Sequence, residues 1–141
     1  MREADVVEGA HRHFEREYPD RNVSICRECD APVAHGRPDL VFVQSKRSVV
    51  HVVEAKAHAE DASQGLMQLD RYPGNYKWLA LPSDDYANSE SGIASACSER
   101  GYGLLLISGK ERRHSVVRRW PERFAGDFLG HYPRAEEMWE L

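Results

Sequence analysis

Residues 36–56 read GRPDLVFVQSKRSVVHVVEAK, and this stretch limits the fold more than any other. Two runs rich in Val, Leu and Phe flank a polar patch, Gln44 to Ser48, the pattern of two strands joined by a hairpin turn. The runs are apolar at consecutive rather than alternate positions, so both faces are expected to be covered and both strands central. Yet Asp39 opens the first run, Glu54 sits near the end of the second, and Lys56 follows two residues later. With the turn centred on Lys46 and Arg47, facing residues have numbers that sum to 93. Asp39 then faces Glu54, at a Cβ separation of about 5 Å. Strand alternation puts Lys56 on the Glu54 face, about 7 Å further along.

Two opposed carboxylates repel, and a purely structural sheet avoids them. A divalent cation reverses the argument, because Mg²⁺ takes hard oxygen ligands and is typically held by one or two carboxylates together with waters and phosphate oxygens. A lysine beside such an ion adds positive charge where a phosphodiester would be attacked. The spacing therefore points to hydrolysis of phosphodiesters, with Mg²⁺ (or Mn²⁺) as the cofactor.

The rest of the chain supplies a frame for this hairpin. Apolar side chains at Val6, Val7, Ala10, Phe14 and Tyr18 predict an amphipathic helix over 3–18. Strands are predicted at 22–31, 38–43, 48–56, 76–82 and 103–108, and helices at 60–72 and 88–102. A charged edge strand or hairpin is predicted over 110–120 and a short C-terminal helix over 121–132, started by Pro121. The order α-β-β-β-α-β-α-β predicts an α/β protein, a mixed central sheet flanked by helices, in one domain spanning 1–141. Gln64 and Gln68 place a polar stripe on the second helix, aimed at the sheet end.

These elements and motifs resemble the PD-(D/E)XK nuclease superfamily, which has the restriction-endonuclease-like fold. Its pattern is Pro-Asp on one strand and Glu-X-Lys on the next, matched here by Pro38-Asp39 and Glu54-Ala55-Lys56. Many members continue with a helix carrying Gln-Leu and a Tyr one turn on, matched by Gln68, Leu69 and Tyr72. Several place a metal-associated Glu on the first helix; Glu3 fits best and Glu8 is the second candidate. The resemblance implies a Mg²⁺-dependent nuclease that leaves 5′-phosphate ends. Asp39, Glu54 and Glu3 would hold the metal, Lys56 would serve the attacking water, and Gln68 would orient the lysine, the water or a phosphate. It also covers members that are catalytically silent or act on RNA. DNA is the expected substrate, branched junctions included. A homodimer is expected, because a chain of 141 residues has little surface beyond its core to grip a duplex.

Composition bounds the alternatives. The formal net charge is −4, so DNA binding must come from local patches. The basic run Lys110, Arg112, Arg113, Arg118 and Arg119, with His114 among it, is the candidate phosphate-contacting arm. The same charges would also protect an edge strand from aggregation. No apolar run approaches a membrane span, and the charged, helix-patterned N-terminus is no secretory signal, which together predict a cytoplasmic protein. Three cysteines are too few for a disulfide framework. Cys26, Cys29 and His35 have a zinc-like spacing, but in a strand the two thiols would face opposite ways and a fourth ligand is missing. His11 and His13 are expected at the surface of the first helix. GLLLISGK fails as a phosphate loop, since Glu111 stands where Ser or Thr is needed. No aromatic-rich sheet face of the kind that stacks single-stranded RNA is apparent.

Overall fold

The computed structural model describes residues 1–18, 23–44, 48–89, 92–109 and 114–135. Helix α1 spans Glu3–Glu17 and opens with Asp5 accepting the Arg2 backbone N–H at 2.8 Å. Its acidic first turn, Glu3 and Asp5, suits the positive end of the helix dipole. Strands β1 (Val23–Arg27), β2 (Leu40–Gln44) and β3 (Val49–Ala55) form an antiparallel meander. Helix α2 (Ala62–Arg71) leads to β4 (Tyr76–Pro82), and the short α3 (Ser83–Ala87) and α4 (Ile93–Arg100) lead to β5 (Gly103–Ser108). Strand β6 (His114–Arg119) closes the edge. The strands lie in sequence order in one six-stranded sheet; β3, β4 and β5 run parallel and the other pairs antiparallel.

Both faces are covered, as the consecutive apolar runs require. Odd positions of β2 and even positions of β3 share one face, where Val41, Val43, Val50 and Val52 pack with Leu66 and Leu69 of α2 and Cys97 of α4. The other face packs Leu40, Phe42, Val53 and Trp78 against Val6, Ala10 and Phe14 of α1. Gly9 lets α1 lie almost on β5, since an added Cβ would fall 2.3 Å from Ile107. The α1 face also gathers Phe14, Tyr18, Phe42, His51, Tyr76 and Trp78 into one ring cluster. This aromatic face comes from several separate elements, so no single stretch of sequence announces it.

Four expectations are corrected. The helix expected over 88–102 starts only at Ile93, after Gly92 at φ +134°, and a separate short helix precedes it. No helix forms over 121–128: the Asn75 side chain donates to the carbonyls of Phe124 and Gly126 and the Asn75 backbone carbonyl accepts the Phe124 N–H, so this segment is tied to the start of β4. A 3-10 turn, Leu129–His131, follows it. Cys26 and Cys29 do not face opposite ways. Strand β1 ends at Arg27 and Glu28 adopts φ +47°, which swings both thiols into the same core. His13 is buried, with Nδ1 2.7 Å from Ser115 Oγ on β6. No helix among the described residues is long and apolar enough to cross a membrane.

Candidate active site

The hairpin register matches the sequence arithmetic. Leu40 pairs with Val53, Val41 with Val52 and Phe42 with His51, and continuing the ladder by one residue sets Asp39 opposite Glu54. The assumed turn residues, Lys46 and Arg47, lie outside the described residues. Each carboxyl is held by the neighbouring strand: the Asp39 backbone N–H donates to Glu54 Oε1 at 3.1 Å, and the Ala55 N–H donates to Asp39 Oδ2 at 2.8 Å. The Glu28 N–H donates to the Asp39 carbonyl at 3.1 Å, which fastens the end of β1 to the same point.

Burial dominates their electrostatics. Glu54 is 3 % exposed. Desolvation, and then the charge of Asp39, push its carboxyl up to about 8. Desolvation likewise raises Asp39, with Glu3 adding to the effect and the Ala55 N–H opposing it. Without a cation the pair retains a proton near neutrality, which is how two close, buried carboxyls avoid facing each other as charges.

Lys56 continues β3 along β4, its N–H donating to the Ala80 carbonyl at 3.0 Å. Its stem runs beneath α2 because residue 65 is glycine; a Cβ there would come within 2.8 Å of Leu79 and 3.3 Å of Lys56 Cγ. Its ammonium lies 3.7 Å from Glu3 Oε1 of α1. That contact separates the two helix-1 candidates. Glu3 reaches the site, whereas Glu8 is bound by Arg12 at 3.1 Å and by Arg27, which hold its carboxyl below the usual range. Gln68 is half-buried and its Oε1 is enclosed without a hydrogen-bond partner; Gln64, its companion in the expected stripe, is exposed. Among the described residues no three His, Cys, Asp or Glu side chains sit close enough together to hold an ion as they stand. Asp39 and Glu54 thus converge, and Glu3 stands beside them on the lysine.

Two further residues lie next to the pair. Tyr72 is buried against it. Desolvation, then the charges of Glu54 and, more weakly, Asp39, raise its hydroxyl pKa. It is the Tyr that the resemblance places one turn after Gln68 and Leu69, just past the end of α2. Arg27 shares a cleft of about 310 Å³ with Glu3 and Asp39. Nothing in the sequence singled it out from other strand arginines.

The basic run does not join this site as far as it is described. Arg119 pairs with Leu104 on β5, three strands from β3, on the order of 14 Å away across β4 and β5. It contacts Glu122 at 3.9 Å, and Arg118 is exposed. Lys110, Arg112 and Arg113 lie outside the described residues.

No family model and no curated protein matches the chain. Among solved structures, it is similar to the SPO1766 protein of unknown function from Silicibacter pomeroyi. The match has a TM-score of 0.61 at 13 % identity and covers 98 % of this chain and 88 % of the other. At that identity the likeness speaks for a shared mixed α/β architecture.

Proposed function

We propose that the chain is a metal-dependent DNA endonuclease with a restriction-endonuclease-like core of the PD-(D/E)XK kind. One observation carries this reading: Asp39 and Glu54 are held against each other by a fixed hairpin register, with Lys56 two residues on. A core gains nothing from burying two like groups, whereas a cation site requires them. The donor set fits Mg²⁺ or Mn²⁺. Both groups offer hard carboxylate oxygens, and the nearest ammonium, Lys56, is paired with Glu3 rather than with either of them.

Asp39 and Glu54 would hold the ion. When bound, it supplies Lewis-acid polarisation of a phosphoryl oxygen and a lowered pKa for water. The backbone N–H groups of Asp39 and Ala55 fix one oxygen of each carboxylate, which orients the other for ligation. Lys56 donates to the attacking water and to the phosphoryl oxygens as their charge grows. Glu3 holds the ammonium in place, and the enclosed Gln68 amide oxygen awaits a donor such as that ammonium or a water. Two copies related by a two-fold axis would present two such sites to a duplex or a branched junction.

A catalytically silent nucleic-acid-binding member is the second reading. Incubation with circular, linear and four-way-junction DNA, and with matched RNA, in Mg²⁺, Mn²⁺ and chelator separates the readings. Metal-dependent cleavage of DNA that is lost in Glu54→Gln supports the nuclease. Binding of DNA without cleavage in either metal supports the silent member.

A further inference from the structure

Clefts open around the end of the sheet that carries the carboxyl pair, and three of them differ in whether a basic side chain lines them among the described residues. Two lie beside α3. One is about 470 Å³, with His58, Asp84 and Asp85 in its wall; the other is about 510 Å³, with His58, Glu60 and Asp85. Neither has a lysine or arginine among its described lining residues. The third, about 310 Å³, runs between α1 and the β1–β2 crossing and is lined by Glu3, Ala4, Val7, Arg27, Glu28 and Asp39. Asp39 lines this one and neither of the other two.

Resting on the nuclease reading, we infer that the DNA strand reaches Asp39 through the α1–β1 cleft, where Arg27 binds a phosphate next to the scissile one. The strand does not cross the clefts beside α3, whose described lining residues include no arginine or lysine. Arg27 pairs in register with Leu40, the residue after Asp39, so it stands one strand over and one residue along from the carboxylate. Backbone hydrogen bonding from Glu28 to the Asp39 carbonyl makes that spacing rigid. The guanidinium is oriented in advance: Nε donates to His11 Nδ1 at 2.9 Å and Nη2 to Glu8. The Nη1 side of the fork makes no hydrogen bond among the described residues, and a planar fork held on one side suits a phosphate on the other. Of the three acids in the wall, Asp39 belongs to the carboxyl pair, Glu3 is offset by Lys56, and Glu28 is exposed. Arg37, exposed two residues before Asp39, adds charge of the same sign nearby. Ala4 and Val7 give the cleft an apolar side for sugar or base.

The test is binding of a fluorescein-labelled DNA duplex in Ca²⁺ over a salt series, together with cleavage in Mg²⁺, for wild type, Arg27→Gln, Arg27→Lys, Glu8→Gln and Asp84→Asn. Arg27→Gln is expected to weaken binding about tenfold, the scale of one charged hydrogen bond, and to flatten the salt slope by about 0.9. Arg27→Lys keeps the slope, which separates lost charge from misfolding. Glu8→Gln removes an acid beside the guanidinium and tightens binding, while Asp84→Asn changes nothing. An unchanged affinity and slope in Arg27→Gln, or tighter binding in Asp84→Asn than in Glu8→Gln, overturns the path. Metal-dependent cleavage by the wild type would then leave the nuclease reading standing. A wild type that neither binds nor cleaves DNA removes both.

Discussion

Strand β3 buries two polar side chains three residues apart, on opposite faces of the sheet, and treats them differently. His51 and Glu54 are each 3 % exposed. His51 is fully provided for: Nε2 lies 3.0 Å from Gln44 Oε1, and Nδ1 accepts the Trp78 indole N–H at 3.1 Å. Burial pushes its imidazole down to about 3, so it is neutral across the physiological range and its neighbours are rings and amides. Glu54 instead meets another acid, and burial pushes it up. The first arrangement is what a core does with a polar group it must keep. The second is tolerable only with a proton, or a cation, that the chain itself does not supply. The same strand therefore carries one polar group that stabilises the fold and one that costs stability.

Breaking the lysine next to Glu54 is expected to have the largest effect. Lys56→Ala should lower DNA cleavage by about 10²-fold or more, the scale of removing one preorganised charge, with DNA affinity in Ca²⁺ changed only a few fold. Single-turnover kinetics beside equilibrium binding reads the two separately; equal losses in both would assign the lysine to binding. On the other face, His51→Leu should destabilise the protein by about 1–3 kcal/mol, because the buried Trp78 N–H is left unpaired. Denaturant melts measure this. The loss should be the same with chelator and with metal, since nothing ties His51 to the cation.

The pH dependence sharpens the contrast further, because the two groups tilt stability in opposite senses. His51 has a depressed folded-state pKa, so its contribution is present above 6.5 and is lost as pH falls toward about 3, where the unfolded chain binds the extra proton. Glu54 has a raised one, so its contribution is present below 4.5 and is lost as pH rises through about 8, where the folded chain holds the extra proton. In chelator, between pH 6.5 and 8, Glu54→Gln should flatten the fall of melting temperature that the wild type shows. His51→Leu should flatten only the acid limb. Matching profiles for the wild type and Glu54→Gln would mean that Glu54 is not held in its neutral form.

The hairpin was legible because strand pairing is arithmetic. Once the consecutive apolar runs marked two central strands and a turn was assumed at the centre of the polar patch, the pairing of Asp39 with Glu54 followed without coordinates. The exact span of β5, Gly103–Ser108, was legible for the same reason, as an all-apolar run ended by Gly109. What stayed hidden depended on single backbone torsions or on distant partners. The left-handed Glu28 reversed the facing of Cys29, and Asn75 took the hydrogen bonds that a helix over 121–132 would have made for itself. His13 looks like a surface residue until β6 packs on α1. The choice between Glu3 and Glu8 needed Arg27, which sits in another element.

The central claim is that Asp39 and Glu54 form one cation site, and it can be tested without a substrate. Thermal melts of the wild type and Asp39→Asn are compared above pH 8, in chelator and with Mn²⁺. Asn can still accept the Ala55 N–H, so the variant loses the charge and keeps the fold. The account predicts that the variant melts higher than the wild type in chelator. Mn²⁺ at one hundred times its Kd should stabilise the wild type by about 2.7 kcal/mol and the variant far less. A variant that melts below the wild type in chelator, with both proteins responding alike to Mn²⁺, would show that the two acids do not share a site.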